Sequence, residues 1–137
     1  SCRAPRPVSA AAARLARTCR ASLTIFHAIP RFQTPYVMEG MTYAWPSEAE
    51  YLKSSDRQGR KVLASARAIA SRNGVAARTL QACSDDTSRA IIAAARRSRA
   101  GLIVMASHGR RGIEKLLLGS ETQKVLARTK LPVLVVR

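Results

Sequence analysis

Residues 101–120 constrain this chain more than any other stretch, because they join an apolar run, a small-residue turn, a basic loop and a helix start. Leu102-Ile103-Val104-Met105 is a short unbroken apolar run after helix-like sequence, which reads as a buried parallel strand. Ala106-Ser107-His108-Gly109 then forms a turn, and Arg110, Arg111 and Gly112 a basic loop. Gly119-Ser120 opens a further helical pattern. This order favours an anion. A glycine lets a phosphate approach the backbone, and a helix N-terminus presents free N–H groups and a partial positive charge. In open α/β sheets, ligands bind at the carboxyl ends of the strands, where this turn would lie.

A purely structural reading stands beside it. Ser120 followed by Gln123 has the spacing of a capping box, so Ser120 can serve its own helix and touch no ligand. Gly109 and Gly112 can be ordinary turn glycines.

A chain of 137 residues has room for one domain, 1–137, and one core. Aromatic content is only 4%, so Ala, Leu, Ile and Val must build that core, as in helix-on-sheet layers. No apolar run reaches the length of a membrane span. The Arg- and Ala-rich start lacks the apolar centre of a signal peptide; it weakly resembles an organellar transit peptide but runs directly into a helical pattern. Cys2, Cys19 and Cys83 are an odd number without C-x-x-C spacing, which argues against a disulfide framework or a zinc site and for a reducing cytoplasm. His27 and His108 have no metal-ligand motif. The net charge of +16 points to anionic partners, and non-specific nucleic acid is one. The basic residues are scattered over the helical patterns, however, and no aromatics alternate with them as stacking platforms.

The remaining pattern alternates helices and strands. Residues 1–7, with Pro5 and Pro7, read as irregular. Residues 8–20 read as a helix with Ala11, Ala12, Leu15, Ala16 and Cys19 on its apolar face. Residues 22–29 alternate as a strand, with His27 half-buried in it, and residues 30–46 form a long loop holding Phe32, Tyr36, Tyr43 and Trp45. Ser47-Glu48-Ala49-Glu50 is a capping box for a helix stopping at Asn73-Gly74. Residues 76–82 suit an edge strand. Asp85-Asp86-Thr87 caps a helix whose Ala90, Ile91, Ala94 and Ala95 face inward, and the two aspartates read as caps rather than an acid pair. Residues 113–118 form a short apolar link, 120–129 a helix, and Val133–Val136 a last strand at an exposed edge. The class is α/β with a mainly parallel open sheet and helices on both faces, Rossmann-like.

Ala106-x2-Gly109-x9-Gly119-Ser120 resembles the phosphate-binding motif of the universal stress protein family, G-x2-G-x9-G-[ST], and Leu131–Arg137 resembles that family's final strand. The resemblance covers the final third of the chain, with Ala106 at the motif's first glycine. It implies an adenine nucleotide as ligand: ATP, with or without Mg. Gly109, Gly119 and Ser120 would hold phosphates, Ala106 would lie by the ribose, and Ala28 by the adenine. Met105, Ser107 and His108 would line the turn. It also implies a homodimer through Val133–Val136. Family members begin with a strand such as I-L-V-A-V-D-G-S, whose aspartate contacts the nucleotide. This sequence shows no such strand, so its first strand reads as missing or replaced, leaving its two neighbours without a shared partner. Each buried backbone group left unpaired costs about 1–3 kcal/mol.

No P-loop, G-x-S-x-G elbow or catalytic triad context is present, so catalysis is not expected beyond slow ATP hydrolysis or self-phosphorylation, with Ser107 and Ser120 as acceptors. Three functions follow: a nucleotide-binding stress-response protein, a non-binding dimerisation module of the same fold, or, from charge alone, a basic nucleic-acid-binding protein.

Overall fold

The computed structural model describes residues 6–33, 46–107 and 118–137. The expectations for residues 1–5, for the aromatic part of the long loop from Tyr36 to Trp45, and for residues 113–117 lie outside the described residues. The order is α1 (Arg6–Thr18), β1 (Leu23–Ile29), α2 (Glu48–Arg72), β2 (Ala77–Cys83), α3 (Thr87–Arg97), β3 (Ile103–Ala106), α4 (Ser120–Arg128) and β4 (Val133–Val136).

Helix α1 begins at Arg6, earlier than the sequence suggests. Pro7 does not prevent this, because the first turn of a helix has no intrahelical use for its N–H groups. The buried residues of α1 are Ala13 and Ala16. Cys19, expected in the core, lies beyond the end of the helix and is exposed. Helix α2 starts on the expected box: Glu50 N–H donates to Ser47 Oγ at 3.2 Å, and Ser47 N–H donates to Glu50 Oε2 at 2.8 Å. The Ser47 N–H and the Ser47 hydroxyl, which both donate to Glu50 Oε2, hold the Glu50 carboxyl below its ordinary pKa. The helix stops where Gly74 takes φ +76°, a conformation that glycine adopts without steric cost. Asp86 is the N-cap of α3, but Ile92 is buried on that helix, with Ala94 and Ala95, where Ala90 and Ile91 are half-buried.

Strands β1 and β2 pair in parallel, Leu23 opposite Ala77 through Ile29 opposite Cys83. Strands β3 and β4 also pair in parallel, Ile103 opposite Val133 through Ala106 opposite Val136. The open sheet is thus two separate parallel pairs among the described residues. Helices cover both faces. Ala13 of α1 and Ala70 of α2 pack with Leu23 and Ile25. On the opposite face, Phe26 and Leu80 look toward Ala90, Ala93 and Ala94 of α3. Ala95 of α3 and Val125 of α4 pack with Ile103, Met105 and Val133. Both α1 and α3 touch β1, α1 also touches β3 and β4, and α3 packs on α4. The two strand pairs therefore lie in one layer between shared helices, an α/β/α sandwich. The core is correspondingly divided into small clusters rather than one.

Candidate functional site

The carboxyl end of β3 and the start of α4 are bonded to each other. Ser107, only 5% exposed, donates its N–H to the Val136 carbonyl at 2.8 Å and accepts the Gly119 N–H on its own carbonyl at 2.7 Å. One residue back, the Ala106 carbonyl accepts the Thr122 hydroxyl at 3.0 Å. Thr122 is 3% exposed, so this bond is made away from water, where a neutral hydrogen bond counts most. The two segments that the motif separates by a basic loop are thereby brought side by side.

The far end of α4 is held as firmly. Arg128 Nη1 lies 2.7 Å from Asp86 Oδ2 and 2.7 Å from Ser88 Oγ, at the beginning of α3. Ser88 is fully buried and donates its hydroxyl to Asp86 Oδ1 at 2.7 Å. The Ser88 hydroxyl, the Arg89 N–H and the Arg128 guanidinium together hold the Asp86 carboxyl well below the ordinary carboxylate pKa. Helix α4 is therefore tied to β3 at its N-terminus and to α3 at its C-terminus.

The N-cap of α4 is Gly119, with φ −58° and ψ 146°, and no side chain caps this end. The capping-box reading of Ser120 is overturned: Ser120 is the first helical residue, and the Gln123 amide donates to the Leu118 carbonyl at 2.7 Å. The physical reason is the bond from Gly119 N–H to Ser107, which fixes the glycine at the cap position. The helix start is left with its N–H groups uncapped by side chains, the arrangement that receives anions. Glu121, in the first turn, is engaged by Lys124 at 2.8 Å.

Of the candidate residues, Ala106, Ser107, Gly119 and Ser120 are brought together. Met105 is adjacent in the strand, but its side chain packs on the Ala95, Ile103 and Val125 cluster. Ala28 lies near the carboxyl end of β1, half-buried, in the other strand pair. His108 and Gly109 lie outside the described residues. Sequence reasoning missed Thr122 and the Asp86–Ser88–Arg128 group; partners 16 and 42 residues apart leave no local pattern to read. Among the described residues, no group of three or more His, Cys, Asp or Glu side chains is placed to hold a metal ion. No described helix is long and apolar enough to cross a membrane.

The comparisons with known proteins agree with this architecture. A universal stress protein from Burkholderia pseudomallei has a similar structure, with TM-score 0.70 and 26% identity over 93% of this chain and 83% of that one. The universal stress protein from Archaeoglobus fulgidus in complex with dAMP aligns with TM-score 0.71 and 19% identity over 100% and 90%. Universal stress protein YxiE of Bacillus subtilis is 30% identical over 129 residues, 93% of this chain and 86% of its own. The sequence profile described as the universal stress protein family matches residues 4–137. The chain belongs to the universal stress protein family.

Proposed function

We propose that this stress-response protein binds an adenine nucleotide, ATP with or without Mg, at the carboxyl ends of β1 and β3. The observation that carries this reading is the start of α4, set beside the end of β3 with no side chain capping it. Gly119 and the Ser120 N–H and hydroxyl would receive phosphate oxygens together with Gly109, and Ser107 and His108 would line the site. Ala106 would lie by the ribose and Ala28 by the adenine. Related proteins support the ligand class, one of them having been solved with dAMP.

Isothermal titration of the folded, monodisperse protein with ATP-Mg tests this, against Gly119→Val. The dihedrals of Gly119 are open to valine, so the added isopropyl group blocks close approach to the backbone without forcing the chain. Loss of ATP binding in a variant that stays folded supports the reading. Equal binding in both, or none in the parent protein, overturns it.

A homodimer through β4 is the second part of the proposal. Among the described residues β4 pairs only with β3, and Leu134 on it is 41% exposed. An unpaired apolar edge calls for a cover, and the same edge of a second copy supplies one. Sedimentation showing a dimer that Leu134→Glu converts to monomer supports it; a monomeric parent protein rules it out.

A further inference from the structure

Among the described residues β2 pairs only with β1, so its outer edge carries no strand. In a β-strand the N–H and C=O of one residue point to the same side, and successive residues alternate. Ser84 donates its N–H to the Ile29 carbonyl at 2.9 Å, so Arg78, Leu80 and Ala82, in the same phase as Ser84, turn their backbone groups toward β1. Ala77, Thr79, Gln81 and Cys83 turn theirs outward. Thr79 and Cys83 are exposed along this edge.

A groove flanks that edge on each face of the sheet. On the side of α2, Leu63, Ala64 and Ala68 line a groove with Thr79, and Arg60 and Arg67 belong to its walls. On the side of α3, Phe26, Leu80, Ala90 and Ala93 line a second, with Arg89 and Arg97. Their volumes, about 450 and 300 Å³, leave room for a few small side chains in each. Arg60 is paired with Asp56 at 2.8 Å and Arg89 with Asp86 at 3.6 Å. Arg67, Arg97 and Arg78 of β2 itself are exposed and make no ion pair among the described residues. With a net charge of +16, the chain has few acids of its own to neutralise them.

We propose that the outer edge of β2 docks an extended segment of a partner protein, with small apolar side chains at its centre and acidic residues at its ends. The outward backbone groups of Ala77, Thr79, Gln81 and Cys83 require an extended chain, which is β-strand addition. Side chains of an added strand point to the two faces in turn, so they enter the α2 groove and the α3 groove alternately, and the apolar floors select their chemistry. The arginines select the charge. A second copy placed edge to edge would set this arginine cluster against itself, the repulsion by which charged edge strands resist self-pairing. Acidic residues instead meet Arg67, Arg78 and Arg97 unpaired. A nucleic acid would match the charge, but its backbone has no repeat of N–H and C=O groups to complete the strand ladder. Neither the nucleotide nor the dimer through β4 is needed for this docking.

The test is amide hydrogen exchange by NMR on the intact chain, with a synthetic peptide of alternating valines and alanines carrying two glutamates at each end. One control peptide has lysines in place of the glutamates. Another has prolines at two adjacent central positions, so that a ladder N–H is missing in either phase. The glutamate peptide is expected to slow exchange at Thr79, Gln81 and Cys83 by about tenfold or more. Arg78, Leu80 and Ala82, already paired with β1, should change by less than about twofold, and neither control should protect the edge. Arg67→Glu, Arg78→Glu and Arg97→Glu combined, all at exposed positions, should leave protection elsewhere unchanged and abolish the response. The proposal is overturned by no protection from the glutamate peptide, by equal protection from the lysine peptide, or by an equal response in the variant. Slow exchange at the edge amides in the dilute free protein would also overturn it, because the chain would then cover its own edge. So would protection rising with protein concentration alone, which would assign the edge to a second copy. Tighter binding of a single-stranded oligonucleotide than of the peptide at these arginines would assign the surface to nucleic acid instead.

Discussion

The Thr122 hydroxyl donates to the Ala106 carbonyl at 3.0 Å, joining the N-terminal turn of α4 to the last residue of β3. Thr122 is buried and Ala106 half-buried, and the bond sets the distance between the two segments proposed to face the nucleotide.

Thr122→Val keeps the shape and removes the donor. It should destabilise the protein by about 1–2 kcal/mol, because the carbonyl loses its partner with little access to water. Thr122→Ser, which keeps the donor, should retain part of that stability. Urea midpoints of the three proteins decide it, and equal midpoints for the parent and the valine variant would show that the bond contributes nothing.

Asp86 gives the acid dependence a definite sign. Its carboxyl is held below its ordinary value in the folded chain by Ser88, Arg89 and Arg128. The folded state therefore binds protons less readily than the unfolded one. Its stabilisation is complete above the unfolded carboxylate value of about 3.9 and is lost as pH falls below that. Urea midpoints of the parent protein and Asp86→Asn should differ at neutral pH and converge below about pH 4. A constant difference down to pH 2 would count against this assignment.

Arg128→Lys should not be tolerated as conservative. The guanidinium reaches both Asp86 Oδ2 and the Ser88 hydroxyl from one nitrogen at 2.7 Å, at the end of a short helix. An ammonium on a flexible stem does not reproduce that placement. The variant is expected to lower the midpoint at pH 7. A midpoint matching that of the parent protein would show that charge alone suffices.

Gly59 lies within α2, where alanine normally adds about 1 kcal/mol of stability over glycine. Here a Cβ would run into Gln81 Oε1 and lie 2.9 Å from His27 Cδ2. Gln81 cannot swing aside freely, because its amide donates to Asp56 Oδ1 at 2.7 Å. Gly59→Ala should therefore destabilise, by about 1–3 kcal/mol of overpacking less the helix gain. The penalty should shrink in a Gln81→Ala background. Thermal melts of the four combinations check this, and a stabilising Gly59→Ala in the parent background would refute it.

The features legible in the sequence are those whose partners lie within a turn or two. Ser47 with Glu50, Asp86 before α3, the glycine stop at Gly74 and the run Val133–Val136 all stand where their patterns place them. Each is decided by hydrogen bonds or side-chain alternation over a few residues. The α/β class follows in the same way, from helical and strand periods in succession.

Tertiary structure decided what short-range pattern left open. The sequence pattern placed Ser120 at the N-cap of α4, but the cap is Gly119, whose N–H bonds to the Ser107 carbonyl across the basic loop. Cys19 fell on an apolar stripe, but α1 ends at Thr18 and its contact with α2 and β1 buries Ala13 instead. The ties of α4 to Ala106 and Asp86, and the separation of the sheet into two pairs, depend on which strands and helices meet in space. Backbone pairing between strands carries no residue code of its own, so the register of each pair, Leu23 opposite Ala77 and Ile103 opposite Val133, was decided only when the layers were assembled.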